Sequence, residues 1–265
     1  METLNFIDIS SHQGDQSFNI EKVFAENPTL AGVIVKSTQW QDSARDNMYV
    51  NPYCDHWVQW LIKHDKPWGF FHYLDGHDPV EEAKRFIKHT VNYFGAGVPC
   101  ADYEDRIPRE YGTVYLRKFV ETVYAETGIK PLIYCQQSLI PEDVDGFRQL
   151  ADAGYKLWMA QYRFNTTLQV GFLENPWQSG SYYPFDRITM HQYAHTGRIN
   201  GYEANLDLDL FYGSRADWMA LAKKPEKNNL TESLERAINK LSMAQSSLDE
   251  ARSELDYIKT QIGGY

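Results

Sequence analysis

The feature that most constrains the fold is a series of eight short apolar segments between Asn5 and Phe211. Each is rich in β-branched or aromatic residues and is bounded by turn or helix signals, which is typical of β-strands. The predicted strands are Asn5–Ile9, Gly32–Lys36, Trp68–Leu74, Val98–Glu104, Pro131–Cys135, Lys156–Gln161, Ile188–Tyr193 and Asn205–Phe211.

Helical patterns separate the early strands. Pro79 followed by Glu81 and Glu82 is typical of a first helical turn, where proline is tolerated and acids meet the helix dipole. Alternating strands and helices, with roughly 25–35 residues from strand to strand, predict right-handed crossovers and a parallel sheet. Eight strands favour a closed (β/α) barrel, with a doubly wound open sheet as the alternative. The predicted helices are Ile20–Glu26, Cys54–His64, Pro79–Phe94, Tyr111–Thr127 and Glu142–Ala153.

The alternation decays in the last third of the barrel. Residues 162–187 contain Asn, Gly, Pro and many aromatic residues but no helical period, and only a loop is expected between Tyr193 and Asn205. The sequence therefore predicts an α/β barrel whose later helices are missing.

A change in composition divides the chain near Ala222. Residues 223–229 are polar and contain a proline, which is typical of a linker after a catalytic barrel in 1–222. In 230–262, apolar or small residues recur at alternating spacings of four and three, as in a coiled-coil seam. We expect a C-terminal helix about 50 Å long that makes the protein a homo-oligomer. Folding back on the barrel and docking on another partner are the alternatives.

Composition narrows the class of protein. The net charge is −10 with no basic cluster, so nucleic acid is not an expected partner. The three cysteines, Cys54, Cys100 and Cys135, are far apart and are expected to be buried free thiols made in a reducing compartment. No signal peptide and no membrane-spanning segment are recognised. The many aromatic residues fit either a ring-rich core or a groove in which rings stack on sugars.

Asp102 and Glu104 form the pair with the clearest chemical meaning. They lie two residues apart at the end of a predicted strand, which puts both carboxyls on one face with Cα atoms roughly 6.5 Å apart. Carboxyls this close resist ionising together, so one should keep its proton near neutral pH. A protonated acid beside a carboxylate is what glycosidic bond cleavage needs. A solvated strand end is the alternative for an isolated pair.

Other polar residues strengthen this interpretation because they lie at or near the ends of other predicted strands or, in the case of Asp207, within the eighth strand. All carboxyl ends of a barrel's strands open onto one mouth, where active sites are built. Several carboxylates there, with few basic partners, cost stability and favour an enzyme. The residues concerned are Asp8, Lys36, Asp102, Glu104, 158–161, Gln192 and Asp207.

A set of short motifs resembles glycoside hydrolase family 25 lysozymes. They follow the family's order over about residues 4–213: Phe6–Gly14, Val33–Thr38, Gly69–Tyr73, Asp102–Glu104, Leu157–Tyr162, Gln192–Tyr193 and Asn205–Phe211. The resemblance implies a β/α barrel that lacks its later helices. It also implies a peptidoglycan hydrolase that cuts the β-1,4 bond from N-acetylmuramic acid to N-acetylglucosamine.

The resemblance assigns the general acid to Glu104, its partner carboxylate to Asp102, and two flanking acids to Asp8 and Asp207. Many relatives are phage endolysins, which implies a protein held in the host cytoplasm until lysis and then acting on the wall; a virion-associated lysozyme is the alternative. His191 stands where relatives often have Trp, and Cys100 precedes the acid pair. Both departures are expected to alter substrate contacts at most.

Further residues carry weaker predictions. Tyr73, Trp158, Tyr162 and Gln192 are expected to line the substrate site, with packing at the barrel mouth as the alternative. Lys36 is either a substrate contact or a structural ion-pair partner. A metal site at His72, Asp75, His77 and Asp78 matches no standard spacing, and the family needs no metal, so no metal and no cofactor are expected.

The expected mechanism has Glu104 protonate the leaving oxygen and then act as base toward water. Asp102 is either a nucleophile or the group that orients the substrate's own N-acetyl group, and we favour the second because the substrate carries a 2-acetamido group. Two other functions compete. One is a non-catalytic glycan-binding or virion structural protein, against which the four acids argue. The other is a chitin hydrolase, whose common D-x-x-D-x-D-x-E run is absent.

Overall fold

Strands whose side chains alternate between two environments build a closed barrel in the computed structural model, which describes residues 2–164 and 166–224. Eight of the strands form the wall, in the order β1-β2-β4-β5-β6-β7-β9-β10, and β10 pairs with β1 to close it. The strands are β1 Leu4–Ile9, β2 Leu30–Trp40, β3 Met48–Val50, β4 Trp68–Tyr73, β5 Val98–Asp102, β6 Leu132–Gln136, β7 Lys156–Ala160, β8 Gln169–Val170, β9 Met190–Ile199 and β10 Tyr202–Phe211.

Helices follow the strands where the sequence provides caps. Asp78 accepts hydrogen bonds from the backbone N–H groups of Val80 and Glu81, with Pro79 in the first helical turn. Two short 3-10 turns lie at Arg45–Asn47 and Gln137–Leu139. The helices are α1 Ser11–Asp15, α2 Ile20–Glu26, α3 Cys54–Lys63, α4 Pro79–Thr90, α5 Arg106–Glu110, α6 Gly112–Thr127, α7 Val144–Asp152 and α8 Arg215–Leu221.

The barrel and the decay of its helices are confirmed, but the prediction of a parallel sheet is wrong for the last strand. β10 runs antiparallel to both of its neighbours, β9 and β1. Its connection to β9 is only Asn200-Gly201, and a link this short can join only antiparallel strands. The loop predicted between Tyr193 and Asn205 is therefore also wrong, because both strands continue into this turn. Among the described residues between β7 and β9 there is a two-residue strand, β8, and no helix.

The two-residue period of the strands separates two apolar layers. Ile7, Val33, Val35 and similar outward residues pack against the helices. The inward residues fill the barrel: Phe6, Ile34, Phe71, Val98, Cys100, Leu132, Tyr134, Trp158, Ala160, Met190 and Phe211. Toward the carboxyl ends of the parallel strands, the inward positions change from apolar to charged, as at Asp8 and Lys36. The fold thus places its polar residues at one end of a packed interior.

Helix α8, which was not predicted, packs its one Trp into the barrel interior. Trp218 is fully buried, lies 4.4 Å from Phe6 between ring centroids, and donates its indole N–H to the carbonyl oxygen of Trp68 at 3.2 Å. A side chain at Gly69 would meet this ring, since an added Cβ would lie 3.3 Å from it. The helix therefore belongs to the core of the barrel.

Replacing Trp218 with alanine should lower the free energy of unfolding by about 3–5 kcal/mol, because it removes a large buried ring that cannot be refilled. Urea unfolding followed by circular dichroism measures this. The matched control is Trp177→Ala, whose side chain is 42% exposed and whose loss should change the value by about 0.5 kcal/mol or less. Equal effects of the two substitutions would contradict a structural role for α8.

The predicted heptad helix, 230–262, lies outside the described residues, as does most of the predicted linker, 223–229. Within the described ranges, no helix is both long and apolar enough to span a membrane.

Candidate active site

A cavity of about 280 Å³ opens at the mouth of the barrel, where the parallel strands end. All nine residues that the sequence predicted for the site line it: Asp8, Lys36, Tyr73, Asp102, Glu104, Trp158, Tyr162, Gln192 and Asp207. Three further residues complete the lining, namely Ser10, Phe71 and Tyr134. The fold thus brings residues that are distant in sequence together in one polar, acidic cavity.

The acid pair sits where β5 ends. The prediction that the strand extends to Glu104 is wrong, since β5 ends at Asp102. The Tyr103 N–H still bonds the carbonyl oxygen of Tyr134 at 3.0 Å, so the chain keeps its course for one more residue. Asp105 then turns it away with φ +54° and ψ −108°, a conformation that costs a non-glycine residue free energy. Both carboxyls therefore reach the cavity although only one lies on the strand.

Burial decides the protonation of the pair. The pKa of Glu104 is raised to about 7, first by burial and then by the charges of Asp105 and Asp8, while Lys36 opposes the shift. The pKa of Asp102 lies well above its usual value for the same leading reason, with the charge of Glu104 second. Lys36 is the one basic side chain among the described residues that line the cavity, so the site is short of positive charge.

Gln192 fixes the orientation of Asp8. Its amide nitrogen donates to the Asp8 carboxylate at 2.6 Å. Its amide oxygen accepts from the Tyr134 hydroxyl at 2.9 Å and also from the Tyr162 hydroxyl. Because two hydroxyl donors hold the oxygen, the amide N–H₂ must face Asp8. The pKa of Asp8 is raised to about 6 by burial, against the lowering effect of the bond from Gln192.

Asp207 reaches the mouth by a different route from the one predicted. The expectation assumed that every strand brings its carboxyl end to the mouth, but β10 runs the other way. The register pairs Asp207 with Asp8 across β1, so a mid-strand residue arrives at the same level. Burial and the charges of Asp8 and Glu104 hold its pKa well above the usual range.

The remaining predicted residues form the walls. The Lys36 ammonium lies 4.5 Å from the centroid of the Tyr73 ring and donates to Gln39 at 2.7 Å. The Tyr73 hydroxyl donates to Asp105 at 2.6 Å. Trp158 is only 2% exposed, so its ring forms part of the floor and offers little face for a sugar to stack on.

Besides Ser10 and Phe71, sequence reasoning missed two residues of this end of the barrel, Tyr134 and Asp209. Tyr134 is the inward residue of β6 at the level of the acid pair. Asp209 lies two residues after Asp207 and is fully buried below it. The signal for both was the two-residue period, which places alternate residues of a strand on one face.

The structure does not bring the four residues of the metal alternative together, and each has another partner. The buried His72 ring lies between Thr38 and Glu82. The others engage separate groups: Asp75 binds Arg106, His77 binds Asp42, and Asp78 caps α4. In residues 2–164 and 166–224, no three His, Cys, Asp or Glu side chains are grouped to hold a metal ion.

The two departures from the family pattern do not line the cavity. His191 points to the outer layer, where its Nε2 lies 2.9 Å from the carbonyl oxygen of Gln161, and burial lowers its pKa to about 4. Cys100 lies inside the barrel below the acids. The expectation that they alter substrate contacts is therefore not supported by their positions.

A second cleft adjoins the site. It has a volume of about 810 Å³ and shares Lys36 with the acidic cavity. Its lining is strongly polar and includes Gln39, Gln41, Tyr49 and Arg106. The mouth therefore continues sideways from the acids across β2 and the loop after β4.

Comparison with known proteins identifies the family. Residues 7–202 match the family model of glycosyl hydrolases family 25. The chain belongs to this family. It is a glycoside hydrolase, and all the residues that line the acidic cavity except Asp207 lie within the matched range. No curated protein matches the chain at a significant level.

Solved structures share the fold. A bacterial lysozyme from Streptomyces coelicolor aligns over 84% of this chain and 98% of its own, with TM-score 0.66 and 19% identity. A muramidase from Acremonium alcalophilum aligns over 84% and 100%, with TM-score 0.61 and 17% identity. The CTP1L endolysin aligns over 86% and 71%, with TM-score 0.58 and 16% identity. At these identities the likeness establishes a common barrel.

Proposed function

We propose that this family 25 hydrolase is a lysozyme that cleaves the β-1,4 bond from N-acetylmuramic acid to N-acetylglucosamine in bacterial peptidoglycan. The observation that carries the proposal is the acid pair, with Glu104 half-buried and Asp102 buried beside it at the mouth. Structures of the same fold include a lysozyme and a muramidase, which supports this substrate class.

Glu104 is the proposed general acid. Because its pKa is about 7, Glu104 is protonated in a large fraction of the molecules at neutral pH and can give its proton to the leaving oxygen. The resulting carboxylate can then take a proton from the attacking water, as in other hydrolases that use one carboxyl in both steps.

Asp102 is the proposed partner for the substrate's N-acetyl group. Its Oδ1 is buried and accepts no hydrogen bond from any described residue. A buried acceptor without a donor costs free energy, and the N–H of a 2-acetamido group would satisfy it. That contact would orient the acetamido oxygen toward the sugar carbon under attack, which favours the substrate-assisted route over direct attack by Asp102.

Asp8 and Asp207 are the proposed flanking acids. They face each other across β1 and β10. The charge of Asp8 raises the pKa of Glu104, which favours the protonated form of the general acid, and the charge of Glu104 raises the pKa of Asp207. The negative charge of Asp8 would also stabilise positive charge that develops on the sugar. Tyr73, Tyr162, Gln192 and Lys36 would contact substrate from the walls.

The polar cleft beside the acids could bind further sugars of a polymeric substrate. Because Lys36 lines both spaces, a glycan strand bound at the acids would have the polar cleft beside it. Amide side chains such as Gln39 and Gln41 offer both donors and acceptors to sugar hydroxyls.

The test is to digest purified peptidoglycan with the full chain and identify the sugar at each new reducing end. We expect new muramic acid ends, released at a rate that depends on enzyme concentration. New glucosamine ends would keep a glycosidase but contradict the proposed bond. No new ends would favour the non-catalytic glycan-binding alternative.

We also propose that the protein is a phage endolysin, held in the host cytoplasm until lysis, and that residues 230–262 join copies of the chain. The CTP1L endolysin has the same fold, which supports the first proposal. Several barrels on one oligomer would bind the wall with avidity. The division into a barrel at 1–222, a linker at 223–229 and a helix at 230–262 stays a prediction.

A further inference from the structure

Asp209 is a buried carboxyl that the proposed mechanism does not use. It points into the barrel from β10, one inward position below Asp207, and has no exposed surface. The register places it opposite Phe6 of β1 and Gln192 of β9. An ionised carboxylate here would be far from water, so its protonation and its partners need an explanation.

The contacts of Asp209 are those of a carboxylic acid that donates one hydrogen bond. The indole N–H of Trp158 donates to its Oδ1 at 2.8 Å. No N–H or O–H of the described residues donates to its Oδ2, although this atom is fully buried. Asp8 is the diagonal neighbour of Asp209 on the inner face of β1 and β10, and two adjoining carboxyls can form a hydrogen bond only if one of them carries the proton.

The surroundings decide which carboxyl carries it. Asp8 accepts the 2.6 Å bond from Gln192 and lines the cavity, both of which favour its charged form. Asp209 lies deeper, and burial and then the charge of Asp8 hold its pKa well above the usual range. Trp158 and Gln192 carry no charge, and no basic side chain of the described residues compensates Asp209. The titratable groups near it are Asp8, Asp207, Cys100 and Tyr193.

We propose that Asp209 is a positioning residue that stays protonated and donates a hydrogen bond to Asp8. Together with the Gln192 amide, it would hold the Asp8 carboxylate in one orientation and in its charged form. Trp158 would fix the position of Asp209 in turn. Buried residues below the cavity would thus determine the orientation and charge of Asp8. The inference rests on the proposed function for the role of Asp8, but not for the proton itself.

Asp209→Asn in the full chain is the decisive variant, because asparagine is the neutral isostere of a protonated aspartate. Its amide oxygen can accept from Trp158 and its N–H₂ can donate to Asp8. We expect hydrolysis of peptidoglycan within about threefold of wild type, with an unchanged pH profile. Asp209→Ala removes the donor and should lower the rate by about 10–100-fold, the effect of losing a hydrogen bond to a charged group. It should also move the acidic limb of the profile to higher pH, because Asp8 becomes easier to protonate.

Two results would overturn the proposal. If Asp209 is ionised in the working enzyme, Asp209→Asn removes a negative charge and moves the acidic limb to lower pH. If the proton is not needed, Asp209→Asn and Asp209→Ala lose activity equally or not at all. Should the alanine variant fail to fold, the asparagine profile alone still separates the charged from the neutral form.

An infrared measurement keeps this inference separate from the substrate. At pH 7 the wild-type protein should show a C=O stretching band of a protonated carboxyl that is missing from Asp209→Asn and shifts on exchange into D₂O. Absence of that difference would contradict the proposal whatever the protein hydrolyses. Its presence in a protein that does not cut peptidoglycan would contradict the proposed function and leave the buried proton of Asp209 established.

Discussion

Replacing Glu104 with glutamine should reduce hydrolysis of peptidoglycan by about 10³-fold, since a positioned general acid contributes about 10²–10⁴-fold. Glutamine keeps the size of the side chain and can still donate a hydrogen bond, but it cannot transfer a proton to the leaving oxygen. The nearby carboxyls cannot replace it, because Asp102, Asp8 and Asp207 reach the cavity from other positions on the mouth. Release of reducing ends from purified walls is the direct measurement.

The matched control is Glu203→Gln, the same substitution at an exposed position of β10 outside the cavity. It should hydrolyse walls at the wild-type rate. Circular dichroism and urea unfolding at pH 5 should show that both variants are folded. Activity near wild type in Glu104→Gln would remove Glu104 from its proposed role, and an equal loss in the control would point to the assay.

The sequence could predict most of the parallel part of the barrel because the wall strands β1, β2, β4, β5 and β6 are each followed by a helix signal. It could not predict the β9–β10 hairpin, since a two-residue period looks the same in parallel and antiparallel strands. Ala194–Ile199 also lacks a continuous apolar run, so the strand looked shorter than it is. Helix α8 was missed because its seven residues carry one buried aromatic and little amphipathic pattern.

The site was predictable from one rule, that the carboxyl ends of parallel strands meet. That rule applies to Asp8 and Asp102. It fits Lys36 less well, because β2 continues four residues beyond it, and it fails for Asp207, which reaches the mouth only through the register with β1. The rule could not identify Asp209, because this residue lies inside the barrel below the mouth. Its burial shows that this barrel carries carboxyls inside its floor as well as at its opening, and such a concentration has a cost in stability.

That cost should make the folded protein less stable as pH rises. The pKa of Asp8 is raised from 3.8 to about 6 and that of Glu104 from 4.5 to about 7, so the native state binds more protons than the unfolded chain in this window. The slope of the unfolding free energy with pH is then negative from about pH 4 to 7. Each shift corresponds to about 3 kcal/mol at 1.36 kcal/mol per pKa unit, and coupling between the two acids gives a fall of about 3–6 kcal/mol.

The buried His191 has the opposite effect within this window, because its lowered pKa of about 4 offsets part of the fall in stability between about pH 4 and 6.5. The other groups of opposite sign act at lower pH. Asp42, Asp46 and Asp217 have pKa values below the usual 3.8 because each accepts side-chain hydrogen bonds, so their stabilisation is lost only at lower pH. Stability should therefore be greatest near pH 4–5. Urea unfolding at half-unit steps from pH 4 to 8 measures the curve, and Asp8→Asn and Glu104→Gln should each flatten it, whereas Glu203→Gln should not. A stability that rises from pH 4 to 7 would mean that these carboxyls are ionised in the native barrel at a lower pH than their burial implies.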